Sequence, residues 1–186
     1  MNIIVKTSDG GLMVRPDTTW EKDNEDFFPP EFVERLTYTP VLFARVSKPG
    51  RSVGLQFADR YFDSVGFGIL LYPENLIDGK ETGLCEATMI DHTSFLPSPM
   101  YNRVTLGQEG NRFILQKNGK TIFQYEEGNV NMIKEALSQA TRYIFIRTGD
   151  LIAIELDGRK PLCGKEDTSI SATWCENSIL DFKIVF

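Results

Sequence analysis

The chain has 186 residues, of which 41% are hydrophobic and 25% are charged, and its formal net charge is −6. These values are typical of one globular domain with a sizeable core, and the negative charge disfavours nucleic acid as a partner. The apolar runs are too short for a membrane span, and the amino terminus lacks the regions of a signal peptide, so we expect a cytoplasmic protein without membrane contact.

Short β-branched or aromatic runs, separated by Gly, Pro and Asn, predict ten strands. They lie at Ile3–Lys6, Leu12–Arg15, Val41–Val46, Gly66–Tyr72, Asn102–Leu106, Arg112–Lys117, Thr121–Tyr125, Ile144–Arg147, Leu151–Leu156 and Leu180–Val185. Strands outnumber helices and do not alternate regularly with them. This pattern predicts an α+β, mostly β fold in one domain over residues 1–186, not a doubly wound α/β fold.

Helical signals occur at three places. Proline in a first turn predicts a short helix at Pro30–Leu36, and another is expected around Phe57–Val65, with a strand as the alternative at its Val65 end. The third and clearest runs from Met132 to Ala140, where apolar residues recur at helical spacing. Asn129 or Asn131 is its predicted amino-terminal cap.

The clearest local signal is the segment RFILQK-NG-KTIFQY. Asn118 and Gly119 are residue types that accept positive φ, as both central positions of a type I′ turn require. Side chains alternate on either side of this pair. The segment therefore predicts a β-hairpin.

The cysteines and the histidine restrict the chemistry. Cys85, Cys163 and Cys175 are odd in number and form no C-x-x-C pair, which predicts reduced thiols. His92 is the only histidine, so zinc hydrolases and histidine-dependent triads lack most of their usual residues. Asp91 and His92 are adjacent and would point to opposite faces of a strand. A site built on His92 or Cys85 is therefore the weakest hypothesis.

Carboxylates are plentiful, but they show no metal-binding spacing. Glu74, Asp78 and Glu81 lie in a stretch that we interpret as a solvated loop, with a Mg²⁺ or Ca²⁺ site as the alternative. The acidic run Glu21–Asp26 is also interpreted as a solvated loop. No nucleotide-binding, hydrolase-elbow or zincin motif occurs.

Read end to end, the segments resemble the fumarylacetoacetate hydrolase family, particularly its small bacterial members. The phrases that carry the resemblance are LMVRPDTTW with FFPPEF, RLTYTPVLFARVSKPGRSV, FADRYFDSVGFGI, the NGKTIFQ hairpin, ATRYIFIRTGDLI and ENSILDFKIVF. Together they extend from about Leu12 to Phe186 in the family's order. The resemblance implies a mixed β-roll, commonly a homodimer.

The resemblance also implies a site. Family members bind Mg²⁺ or Mn²⁺ through a Glu-x-Glu pair and an aspartate, and the metal polarises a 2-oxo or 1,3-diketo acid. Here the two glutamate positions fall on Thr39 and Val41, and the aspartate position falls on Leu70. A hydroxyl and two aliphatic side chains do not replace three anionic oxygens. We therefore expect no metal and no other cofactor.

Other parts of the family site are replaced as well. The family's lysine falls on Met89 or Ile90, and its glycine-containing loop falls on Ile154–Asp157. The amino-terminal lid segment is shortened, because the chain passes directly from Val5 to Leu12.

Three functional hypotheses follow. The first is a non-catalytic scaffold, regulatory or small-molecule-binding homologue, which forms a homodimer or a hetero-oligomer with an active paralogue. The second is a Mg²⁺-dependent hydrolase, decarboxylase or isomerase with a rebuilt site, whose ligands would be Glu74, Glu86, Asp91 or Glu155. The third is an enzyme of another class that uses His92 or Cys85.

Overall fold

The computed structural model describes residues 1–80 and 82–186, and in these ranges the chain forms a large sheet, a small sheet and three α-helices. Glu81, one of the three loop carboxylates, lies outside the described residues. The strands are β1 (Asn2–Lys6), β2 (Leu12–Pro16), β3 (Trp20–Glu21), β4 (Leu36–Val46), β5 (Phe62–Pro73), β6 (Ser94–Phe95), β7 (Tyr101–Asn102), β8 (Phe113–Lys117), β9 (Lys120–Tyr125), β10 (Leu151–Glu155), β11 (Lys160–Cys163), β12 (Thr168–Trp174) and β13 (Asn177–Ile184). The helices are α1 (Glu74–Ile77), α2 (Gly83–Ala87) and α3 (Val130–Ala140).

The large sheet has the strand order β2-β1-β10-β4-β5-β6-β3, and β11 and β7 pair with β4 and β5 respectively. The antiparallel pair of β4 and β5 is its centre. Both strands are buried almost throughout, because their two faces pack against different groups of side chains. One face contributes to the main core, and the other lines the inside of a curled sheet. The predicted mostly β fold is confirmed.

The small sheet has the order β13-β12-β8-β9 and contains the predicted hairpin. Asn118 and Gly119 have φ values of 49° and 75°, as a type I′ turn requires. Helix α3 is also confirmed, and its cap is Asn129, whose side chain accepts from the N–H groups of Asn131 and Met132. No helix in the described ranges is long and apolar enough to cross a membrane.

One helix prediction is wrong and another is right only in part. Pro30–Leu36 forms a turn, in which the N–H of Val33 donates to the carbonyl of Pro30, and then enters β4 at Leu36. Phe57–Val65 is divided between a 3-10 helix at Leu55–Arg60 and the start of β5, so its end at Val65 is a strand. Pairing with β4 takes this second part into the central sheet.

Two strand predictions need correction as well. Ile144–Arg147 forms no strand, and Ile146 makes only an isolated bridge with Gly50. Most of Asn102–Leu106 is a 3-10 helix at Arg103–Gly107, because the side chain of Asn102 accepts from the N–H of Val104 and caps it.

The curled sheet is held closed by the buried side chain of Arg15 on β2. Its Nη2 donates to the carbonyl of Leu71 on β5 at 3.0 Å, and its Nη1 lies 3.3 Å from Ser94 Oγ on β6 and 3.2 Å from Thr93 Oγ1. These strands stand near opposite ends of the sheet order. The guanidinium also lies 4.3 Å from the centre of the Tyr72 ring. Arg15 thus converts an open sheet into a nearly closed roll.

Replacing Arg15 tests this closure. We expect Arg15→Met to lower the free energy of unfolding by about 2–4 kcal/mol, because several buried acceptors lose their donor. Arg45→Met is the control, since Arg45 is exposed on β4, and its effect should stay within about 0.5 kcal/mol. Urea denaturation measures both. Equal effects of the two substitutions would show that the roll does not depend on Arg15.

Candidate functional site

The three positions to which the sequence resemblance assigns metal ligands lie together on the inner face of the roll. Thr39 on β4 pairs directly with Leu70 on β5, and Val41 lies two residues further along β4. In an antiparallel pair this arrangement places all three side chains on one face. Each of the three residues has 0% exposure.

Apolar packing surrounds these positions. Val41 and Leu70 belong to a buried inner cluster, whose other members are Ile3, Val5, Phe43, Tyr72, Leu96, Leu151 and Ala153. The two aliphatic side chains therefore contribute to the interior of the roll. Their burial favours folding at roughly 25 cal/mol per Å² of apolar surface.

The donor set does not fit a divalent metal. Mg²⁺ and Mn²⁺ prefer anionic oxygen ligands, and these positions offer one neutral hydroxyl and two hydrocarbon side chains. Elsewhere in residues 1–80 and 82–186, no group of three or more His, Cys, Asp or Glu side chains is arranged to hold a metal ion.

The carboxylate of Glu155 is connected to this face by hydrogen bonds. Its Oε1 accepts from Tyr72 Oη at 2.5 Å and from Thr39 Oγ1 at 3.3 Å. Its Oε2 accepts from the backbone N–H of Ser8 at 3.0 Å. Glu155 ends β10 and is opposite Val41 in register. Three neutral donors, one of them on a turn, therefore fix the position of this carboxylate.

Glu155 lies in a cleft of about 530 Å³ at one mouth of the roll, which we call the roll cleft. The cleft is bordered by the turn between β1 and β2, by β5 and by the segment after β10. Its polar lining includes Asp9, Thr37, Tyr72, Glu74, Glu155 and Arg159.

The second carboxylate of the cleft is compensated. Glu74 Oε2 accepts from Thr37 Oγ1 at 2.8 Å and lies 3.6 Å from the Nε of Arg159. The guanidinium of Arg159 is 5.7 Å from the centre of the Tyr72 ring. Glu74 therefore has a cationic partner, whereas the donors to Glu155 are neutral.

The phenol of Tyr72 stands between these groups. The pKa of this phenol is raised to about 12, chiefly by burial, with Arg15 acting to lower it and the Glu155 carboxylate acting to raise it. The phenol consequently stays protonated at neutral pH and donates to Glu155. Arg15, Tyr72 and Glu155 form a continuous connection from the closure of the roll to the cleft.

No protein-family model matches the sequence, and no curated protein matches it significantly. Solved structures do resemble it. A fumarylpyruvate hydrolase from Pseudomonas aeruginosa, in complex with Mn²⁺ and pyruvate, has a TM-score of 0.82 at 14% identity, with 100% of this chain and 90% of that chain covered. A protein from Yersinia pestis CO92, assigned to the fumarylacetoacetate hydrolase family, has a TM-score of 0.81 at 14% identity, with 99% and 92% covered. This chain has the fumarylacetoacetate hydrolase fold.

A third structure of this fold extends the comparison. A 5-carboxymethyl-2-hydroxymuconate delta-isomerase from Mycobacterium smegmatis has a TM-score of 0.76 at 13% identity, with 99% of this chain and 78% of that chain covered. The fumarylacetoacetate hydrolase fold therefore extends over essentially the whole of this chain. The predicted fold is confirmed at identities too low for the sequence alone to establish it.

Only two of the four carboxylates predicted for a rebuilt site meet in this fold. Glu74 and Glu155 both line the roll cleft. Glu86 forms an ion pair with Lys80 at 3.7 Å, and Asp91 lines a separate groove. The fold therefore separates Glu86 and Asp91 from the other two carboxylates.

The same separate groove contains His92 and the two positions assigned to the family's lysine, Met89 and Ile90. His92 Nδ1 lies 3.1 Å from Glu21 Oε2, so its partner is not the adjacent Asp91. Glu21 itself is only 5% exposed and departs from the predicted solvated loop, whereas Asp23, Glu25 and Asp26 are exposed as predicted. Its carboxylate accepts from backbone N–H groups in the following turn, and this pairing stabilises the buried charge.

Placing an aspartate at position 70 tests whether this buried face can accommodate a metal ligand. We expect Leu70→Asp to lower the free energy of unfolding by about 3–5 kcal/mol, because it places a charge in the inner cluster. Leu55→Asp is the control, since Leu55 is 50% exposed, and its cost should be about 1 kcal/mol or less. Chemical denaturation with and without Mg²⁺ gives the answer. Full rescue of Leu70→Asp by Mg²⁺ would contradict our interpretation of the site.

Tyr72 should produce an alkaline loss of stability. Its pKa is raised from 10.0 to about 12 in the folded chain, so the stabilisation is complete below pH 10 and is lost as the pH rises through about 12. Two pKa units correspond to about 2–3 kcal/mol. We expect Tyr72→Phe to make this decline shallower, as measured by denaturation at a series of alkaline pH values. Tyr143→Phe, which removes a phenol of a 71% exposed residue, should decline like the unaltered protein, and an unchanged slope for Tyr72→Phe would contradict the assignment.

Proposed function

We propose that this chain is a fumarylacetoacetate-hydrolase-like protein without the family's metal-dependent catalysis, and that it binds a small molecule in the roll cleft. The observation that carries the proposal is the paired position of Thr39 and Leu70, with Val41 beside them. These are the positions where the family resemblance requires three carboxylates. All three are buried, and two of them are part of the apolar interior.

The remaining carboxylates support the same conclusion. The oxygens of Glu155 already accept three hydrogen bonds from the protein. Glu74 accepts one hydrogen bond and has Arg159 as its cationic partner. A divalent ion would have to replace these donors and displace a guanidinium before it gained two ligands. The cleft is therefore better suited to a ligand that adds to this network.

A second candidate function is a hydrolase, decarboxylase or isomerase that acts on 2-oxo or 1,3-diketo acids with Mg²⁺ in a rebuilt site. The observation that favours it is that Glu74 and Glu155 share one cleft. If the metal were bound, these two carboxylates would hold it, and the metal would supply polarisation of the substrate's oxygens.

Assembly is part of the proposal. We infer a homodimer, or a hetero-oligomer with an active paralogue, in a cytoplasmic setting.

Metal analysis distinguishes the two functions. After dialysis against Mg²⁺ and Mn²⁺, we expect no stoichiometric metal by elemental analysis, and no metal-dependent turnover of oxaloacetate or acylpyruvates. A fumarylpyruvate hydrolase of the same fold serves as the positive control. Saturable binding of one metal ion per chain, abolished by a Glu74→Gln and Glu155→Gln double substitution, would establish the rebuilt site instead.

A further inference from the structure

The uncompensated carboxylate of Glu155 gives the roll cleft a definite electrostatic character. Its three donors are the hydroxyls of Tyr72 and Thr39 and the N–H of Ser8, and none of them carries a charge. Within residues 1–80 and 82–186, the ion pairs do not include Glu155. Neutral donors hold a carboxylate in place, but they leave its negative charge available to a ligand.

The other charges of the cleft have the same overall sign. Asp9, Glu74 and Glu155 contribute three negative charges, and Arg159 contributes one positive charge, so the lining sums to −2. The guanidinium of Arg159 lies beside Glu74 and is therefore already engaged. A 2-oxo acid would be repelled by this lining unless a divalent cation lay between them.

The two hydroxyls that donate to Glu155 belong to the interior of the roll. Tyr72 is 1% exposed and Thr39 is 0% exposed, so the two hydroxyl donors are fixed by the interior. Apolar atoms of Met13, Leu84 and Pro161 also line the cleft. The cleft thus combines a fixed acceptor with hydrocarbon walls, which suits a charged head on a short carbon chain.

We propose that the roll cleft binds a small organic ammonium ion, and that the carboxylate of Glu155 receives the ammonium group. The carbon chain of the ligand lies against the apolar walls. This inference rests on the proposed function, because it requires a cleft without a divalent metal. It assigns to the cleft a ligand of opposite charge to the oxo acids that the resemblance implies.

A series of four-carbon compounds that differ in charge tests the assignment. The probes are 1,4-diaminobutane, the neutral 1,4-butanediol and the anionic succinate, titrated into the full chain by calorimetry and by amide NMR. We expect saturable binding of the diamine, binding of the diol weaker by about tenfold or more, and no binding of succinate. The amide signal of Ser8 should shift with the diamine, because that N–H donates to Glu155.

Two substitutions in the cleft should act in opposite directions. Glu155→Gln keeps the shape and removes the charge, and we expect it to weaken diamine binding by about tenfold or more. Arg159→Gln removes the cation from the lining, and we expect tighter binding. Glu166→Gln is the control for Glu155→Gln. It makes the same change in net charge, but at a residue that pairs with Lys117, away from the cleft. Its affinity should match that of the unaltered chain.

The outcomes separate this inference from the proposed function. Absence of saturable diamine binding up to about 10 mM, preference for succinate, or equal binding by the Glu155→Gln variant would each overturn the inference. If the chain also failed to bind metal, the proposed function would stand without this inference. If metal bound stoichiometrically, both would fail. Should Glu155→Gln not fold, the direction of the Arg159→Gln effect still decides the question.

Discussion

The position of Arg15 is the constraint on which the rest of the site depends. Its guanidinium is fully buried and joins β2 to β5 and β6, so it sets the curvature of the large sheet. A buried charge is tolerated here because carbonyl and hydroxyl oxygens accept from Nη1 and Nη2 and the Tyr72 ring lies against the guanidinium, although its Nε has no hydrogen-bond partner in the described ranges. That contact also fixes the phenol, which in turn holds Glu155. The closure of the roll and the geometry of the cleft therefore both depend on Arg15.

The interior of the roll explains how the fold is stable with uncharged side chains at Thr39, Val41 and Leu70. Three carboxylates placed together repel one another until a cation joins them, and such a site destabilises an apo protein. In this chain the three positions hold side chains that pack or donate. Val41 and Leu70 extend the inner cluster, and Thr39 donates to Glu155. These positions therefore need no bound cation to be stable.

Local chemistry determined which parts of the fold could be predicted. The Asn118-Gly119 hairpin and α3 were predictable, because turn chemistry and helical periodicity act over few residues. Strand β12 was missed, since its sequence TSISATW contains Ser and Thr in a pattern that does not distinguish a half-buried strand from a loop. The burial of Glu21 depends on backbone donors contributed by a turn, and composition does not reveal them.

The candidate site was only partly predictable for a related reason. The resemblance located Thr39, Val41 and Leu70, and their adjacency follows from pairing of β4 with β5. The role of Glu155 depends on three donors that lie on two different strands and a turn. Their spacing in the sequence does not predict that they contact the same carboxylate. The burial of Thr39, Val41 and Leu70 on one face also limits what single substitutions can build there. Three carboxylates at these positions require three substitutions, and each intermediate buries charge before a cation offsets it. A metal site on this face is therefore not reachable by single steps that each preserve stability.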